Sequence, residues 1–61
     1  MWYTLSALGR DLKRPGEAAI EGGLQDALRE AEAMLERDPA LEAVEIFGEA
    51  GFVTDLKRRL N

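Results

Sequence analysis

One amphipathic segment, bounded on both sides by residues that end helices, constrains this fold more than any other feature. Apolar residues recur at helical spacing after Gly22-Gly23, and Pro39 stops the pattern because it disfavours helical geometry at the residue before it. We therefore predict one helix with a glycine N-cap and with Asp26 in its first turn, where the helix dipole favours an anion. The apolar positions lie on one stripe of a 3.6-residue period: Leu24, Ala27, Leu28, Ala31, Met34 and Leu35.

Strand patterns lie on both sides of the helix. Residues 2–8 begin with aromatic and β-branched side chains and are closed by Gly9, which predicts a first strand. Residues 41–47 and 52–54 are two β-rich runs separated by four residues with a glycine at each end, which predicts a hairpin. The tail, residues 55–61, is expected to form one helical turn whose two leucines fold back onto the core.

Residues 12–20 leave two alternatives open. Short extended pieces at 12–14 and 18–20, broken by Pro15-Gly16, favour a second strand. Ala18 and Ala19 could equally begin a helix, although Gly22-Gly23 would then interrupt it at about 1 kcal/mol per glycine.

The order strand, possible strand, helix, strand, strand predicts an α+β fold. We expect a single small domain over residues 1–61, with one amphipathic helix packed on one face of a three- or four-stranded, mostly antiparallel sheet. A domain of this length buries only about 60% of its unfolded surface, so it has little spare stability alone. A symmetric dimer is the commonest remedy.

The chain lacks the side chains that most site chemistry needs. It has no Cys and no His, which removes disulfides, Cys/His zinc sites, thiol nucleophiles and the commonest general base at neutral pH. Carboxylate pairs four residues apart on the helix lack calcium-loop spacing and are typical of a solvated helix face. Gly22-Gly23 lacks the phosphate-loop pattern and its Lys. We therefore expect no enzyme activity, no catalytic residue, no metal and no cofactor.

Targeting patterns are also missing. No basic region precedes the apolar stretch at 2–8, that stretch is far shorter than the ~20 residues that span a bilayer, and no lipidation motif is present. We expect a cytoplasmic protein with no membrane partner.

A single helix leaves one face of the sheet uncovered, and that face is the candidate partner interface. Alternation puts Tyr3, Leu5, Ala7, Val44, Ile46 and Val53 under the helix. The opposite face then carries Trp2, Phe47 and Phe52 among the polar residues Thr4, Ser6, Glu45 and Thr54. Exposed aromatic patches usually mark an interface, so we expect a small interaction domain that self-associates through this face or a strand edge, with a dimer favoured. The alternative is that the C-terminal tail covers these rings.

Charge is segregated along the chain. Residues 1–14 carry a net +2 and residues 57–61 carry +3, whereas residues 15–56 carry −9, which gives −4 in total. A basic edge made from both chain ends could contact phosphates, with Trp2 or Tyr3 stacking on bases, so the alternative function is a nucleic-acid-binding accessory or regulatory protein. The basic ends could instead pair with the acidic middle, within the chain or across a dimer. The candidate phosphate contacts are Arg10, Lys13, Arg14, Lys57, Arg58 and Arg59.

Overall fold

Four antiparallel strands form an open sheet with one helix on one face, in a computed structural model that describes residues 1–58. The strands occur in the order β2-β1-β3-β4, so β2 and β4 are the two edges. This arrangement confirms the predicted fold class and settles the strand count at four. The elements are β1 (Trp2–Gly9), β2 (Gly16–Glu21), α1 (Leu24–Arg37), β3 (Leu41–Gly48) and β4 (Gly51–Lys57).

Helix α1 has a capped N-terminus and packs closely on the sheet. The carboxylate of Asp26 accepts a hydrogen bond from the backbone N–H of Gly23 at 2.9 Å, so the N-terminus of the helix is occupied by a side chain of its own first turn. Ala27 and Ala31 are fully buried against the sheet, and their small side chains allow the helix backbone to approach closely. The predicted stripe therefore faces the core from Ala27 to Leu35, whereas Leu24 at its start is exposed.

The core lies between α1 and the two central strands. Leu5 on β1 and Val44 and Ile46 on β3 are the largest fully buried side chains. Leu5 lies directly opposite Ile46 across the β1–β3 pair and opposite Ala18 across the β1–β2 pair, and directly opposite residues share a face of the sheet. The central strands thus supply most of the apolar surface that the helix covers.

The open alternative for residues 12–20 resolves as a strand that begins only after Pro15. Ala18 and Ala19 pair with β1, and Ile20 packs against the core opposite Tyr3. The free edge of β1 offers backbone donors and acceptors that a strand satisfies, whereas a helix here would be interrupted by Gly22-Gly23. Residues 12–14 belong to the β1–β2 loop and not to the strand.

The predicted helical turn in the tail is wrong for residues 55–57. Strand β4 continues through them, with Asp55 opposite Glu45 and Lys57 opposite Ala43. Pairing with the exposed edge of β3 satisfies a row of backbone groups, and this outweighs the weak helical preference of a short charged tail. Leu56 lies opposite Val44 and packs against the core, while Leu60 lies outside the described residues.

A β-bulge in the β3–β4 hairpin shifts the alternation of β4. Thr54 lies opposite Ile46, but Phe52 lies opposite Phe47, so Val53 is an additional residue on β4. Thr54 is therefore on the helix-covered side, which corrects its predicted place on the opposite face. Val53 leans to the covered side beside Gly48, as expected, but its side chain remains 43% exposed.

Candidate functional site: the open face of the sheet

We use "open face" for the side of the sheet that α1 does not cover. The register assigns to it alternate residues from all four strands. It carries Trp2, Thr4, Ser6 and Leu8 from β1, Glu17, Ala19 and Glu21 from β2, Ala43, Glu45 and Phe47 from β3, and Phe52, Asp55 and Lys57 from β4.

Three aromatic residues gather at one end of the open face, next to the β3–β4 turn. Phe47 and Phe52 lie directly opposite each other and their rings meet edge to face, with centroids 5.8 Å apart and planes at 78°. Trp2 is a diagonal neighbour of Phe47, because Phe47 lies opposite Thr4. Trp2 is 57% exposed and Phe52 is 59% exposed, so this aromatic end presents two large rings to solvent. The structure thus brings together the three predicted interface residues.

The bulge at Val53 is what brings the two phenylalanines together. Without the additional residue, strict alternation would put Phe52 on the same side as Thr54 and Leu56, under the helix. Gly51 begins β4 with a φ of +116°, a conformation that favours glycine, and it lies opposite Gly48 across the two-residue turn. The turn and the bulge together direct Phe52 outward.

A loop side chain covers the centre of the open face. Arg14, from the β1–β2 loop, donates to Glu45 Oε1 at 2.5 Å and to Ser6 Oγ at 3.3 Å. Ser6 is only 4% exposed although no helix lies over it. One predicted phosphate contact is therefore already engaged with a carboxylate on the face itself.

The other end of the open face is a shallow depression of about 560 Å³ with mixed charge. Leu8 and Ala43 lie in it, and the two basic ends of the chain meet there as Arg10, Lys57 and Arg58. Glu42, Glu45 and Asp55 line the same depression and partly offset that charge.

Arg58 is occupied by the fold. Its guanidinium donates to the backbone oxygens of Leu41 and Asp38, each at 2.9 Å, and to that of Leu35. Leu35 lies in the last turn of α1, where carbonyls lack partners within the helix, Asp38 follows the helix, and Leu41 begins β3. Arg59 lies outside the described residues, and Lys13 is exposed in the β1–β2 loop.

The aromatic and basic groups lie at opposite ends of the sheet. The length of β1 separates Trp2 from Gly9 and the adjacent Arg10 by about 23 Å. Tyr3 packs against the core on the covered side. The predicted arrangement, in which Trp2 or Tyr3 stacks on a base beside the basic cluster, is therefore not found in this fold.

Residues 1–58 contain no cluster of acidic side chains placed to hold a metal ion, and every buried side-chain polar atom among them has a hydrogen-bond partner. No helix in the same residues is long and apolar enough to span a bilayer. Comparisons with protein-family models, with curated proteins and with solved structures find no match.

Proposed function

We propose that this chain is a non-enzymatic interaction domain that forms a dimer by packing its open face against that of a second copy. The observation that carries the proposal is the exposure of Trp2 and Phe52 on a sheet face that no helix covers. Burying such rings is strongly favourable, and a 61-residue domain has little stability to spare. The absence of His and Cys supports a role without catalysis, and the lack of Cys accords with a cytoplasmic location.

The required contact area implies that the whole face takes part. Two rings that are nearly 60% exposed offer roughly 120 Å² each, whereas a standard interface buries about 800 Å² per partner. The total accessible surface is 4383 Å², so such an interface would use almost a fifth of it. The aromatic end would anchor the dimer, and Leu8 and Ala19 would supply further apolar contact.

A dimer through a strand edge is less well supported than one through the open face. Antiparallel pairing of β2 with a second β2 centred on Ala19 would set Glu17 against Glu21 of the other copy, and like charges directly opposite each other are destabilising. The other edge, β4, contains the bulge at Val53, which disrupts a ladder and protects an edge from pairing. We therefore assign self-association to the open face.

The decisive variants remove rings from the open face. Trp2→Ser and Phe52→Ser, alone and combined, are expected to shift the dimer towards monomer in sedimentation velocity, because each removes an exposed anchor. For the double variant the dissociation constant should rise at least tenfold. Phe47→Glu should act in the same direction by placing a charge inside the contact.

Val53→Ser is the matched control, because Val53 adjoins Phe52 and is also exposed but leans to the covered side. It is expected to leave the dissociation constant unchanged. A wild-type chain that stays monomeric at high micromolar concentration, or a Val53→Ser effect as large as that of Phe52→Ser, would contradict the proposal.

A second candidate function, nucleic-acid binding, is favoured by one observation. The fold brings Arg10 and Lys57 from opposite chain ends into one depression. Arg10→Ala with Lys57→Ala is then expected to weaken binding of a labelled oligonucleotide, and binding should fall steeply as salt rises. Fluorescence anisotropy at two salt concentrations measures this, and absence of binding at low salt removes the candidate.

A further inference from the structure

A row of carboxylates crosses the middle of the open face. Glu17 on β2, Ser6 on β1, Glu45 on β3 and Asp55 on β4 are successive direct neighbours across the strands, so their side chains share one line. Asp55 lies directly opposite Glu45, and like charges in that position repel each other. The row therefore places three negative charges on the surface that the proposed dimer buries.

Glu45 is the carboxylate of the row that a face-to-face contact removes most completely from water. Glu17 and Asp55 belong to the edge strands β2 and β4, so they lie at the rim of the open face, where solvent stays within reach. Glu45 belongs to the central strand β3, and its side chain is already only 26% exposed. Burying a carboxylate is costly unless a cation is buried with it.

Arg14 is the cation that is placed to neutralise Glu45. Its Nη1 atom lies 2.5 Å from Glu45 Oε1 and 3.3 Å from Ser6 Oγ, so it contacts the two central members of the row. Within residues 1–58 no other cation forms a salt bridge with a carboxylate of this row. Pro15 follows Arg14 and favours an extended backbone there, which restricts the directions in which the side chain leaves the loop.

The proposed dimer brings the two carboxylate rows face to face. When the aromatic ends of two copies are in contact, the two-fold axis runs along the strands, and each row faces the same row of the second copy. Because the interface needs the whole face, the axis passes near the middle of the sheet, between β1 and β3. Glu45 of each copy then lies near the axis, where the negative charge of one copy meets that of the other.

We propose that Arg14 is the counter-ion on which the open-face dimer depends, an inference that rests on the proposed function for the dimer itself. Glu45 enters the interface as one half of a neutral ion pair, whereas without Arg14 an uncompensated carboxylate would be buried against a second one. Arg14 is less dependent on Glu45, because its long side chain starts from a loop and is 51% exposed, so its guanidinium can turn towards solvent. The two members of the pair are therefore not equivalent.

A double-mutant cycle on the dissociation constant of the dimer measures this asymmetry. Arg14→Gln is expected to raise the constant by about tenfold or more, because Glu45 stays charged and loses its partner, whereas Glu45→Gln should change it by less than about threefold. Arg14→Gln/Glu45→Gln should recover most of the lost affinity, since neither charge is left to desolvate. Arg14→Lys keeps the positive charge and should weaken the dimer less than Arg14→Gln.

Lys13→Gln is the matched control, because Lys13 precedes Arg14 in the same loop, is exposed and forms no salt bridge in the described part of the chain. It is expected to leave the dissociation constant unchanged. The urea midpoint of every variant, measured at a concentration where the chain is monomeric, should stay close to that of the wild type, because a partly exposed ion pair contributes little to the stability of a single copy.

Two results would overturn the role of Arg14 and leave the open-face dimer standing. One is a dimer that Trp2→Ser/Phe52→Ser disrupts but that is as tight with Arg14→Gln as with Lys13→Gln. The other is an Arg14→Gln/Glu45→Gln variant as weak as Arg14→Gln, because Arg14 would then act by direct contact and not by neutralising Glu45. A wild-type chain that is monomeric at high micromolar concentration would overturn both the role of Arg14 and the proposed function.

Discussion

At the scale of single residues, Arg58 shows how a charged side chain can serve the fold where sequence suggests a ligand contact. From the sequence it belongs to a basic run at the chain end and is a candidate for binding phosphate. In the structure its guanidinium bonds three backbone oxygens around the end of α1. This role depends on β4 extending to Lys57, which the sequence did not predict, so the position of Arg58 could not be foreseen either.

Replacing Arg58 should therefore weaken folding rather than only change surface charge. We expect Arg58→Ala to lower the free energy of unfolding by about 1–3 kcal/mol, because three backbone carbonyls, two of them partly buried, lose a charge-assisted partner near a helix C-terminus. Urea denaturation followed by circular dichroism measures the change. Lys57→Ala is the matched control, since Lys57 is a neighbouring exposed cation, and equal effects of the two substitutions would contradict this role for Arg58.

At the scale of elements, predictability followed the strength of the local pattern. Helix α1 could be predicted because a six-residue apolar stripe lies between two helix breakers, so that local preference and burial agree. Strand β2 was left open because Ala18 and Ala19 favour no strand, and only the free edge of β1 decides their conformation. Strand β4 was underestimated because its last residues are charged, and their pairing with β3 is a tertiary effect.

The β3–β4 hairpin depends on the backbone conformation of Gly51. Gly51→Ala should lower the free energy of unfolding by about 1–3 kcal/mol, because its φ of +116° is strained for any residue with a Cβ. Gly16→Ala should be neutral or slightly stabilising, because its φ is not in that region, and a Cβ at either position meets open space.

Thermal or urea unfolding of the two alanine variants compares backbone strain directly, without a difference in steric contact. Equal stabilities of Gly51→Ala and Gly16→Ala would show that the turn does not require glycine at position 51. In that case the outward direction of Phe52 would need another cause.

At the scale of the whole molecule, the two ends of the sheet present different surfaces. The aromatic end could be predicted from strand alternation, because Trp2 and Phe47 fall out of phase with the core residues of their strands. The placement of Phe52 beside them required the bulge, which has no clear pattern in the sequence. The positive φ and the exposure of Leu12 could not be predicted, because a lone apolar residue in a loop has no periodicity.

The most direct measurement of open-face association uses Trp2, the one tryptophan of the chain. Its fluorescence emission and its quenching by acrylamide should be recorded against protein concentration, alongside mass from light scattering. We predict that the emission shifts to shorter wavelength and that quenching falls with the same midpoint as the change in mass, because dimerisation removes Trp2 from water. A rise in mass with unchanged Trp2 emission and quenching, or no rise in mass at all, would contradict association through the open face.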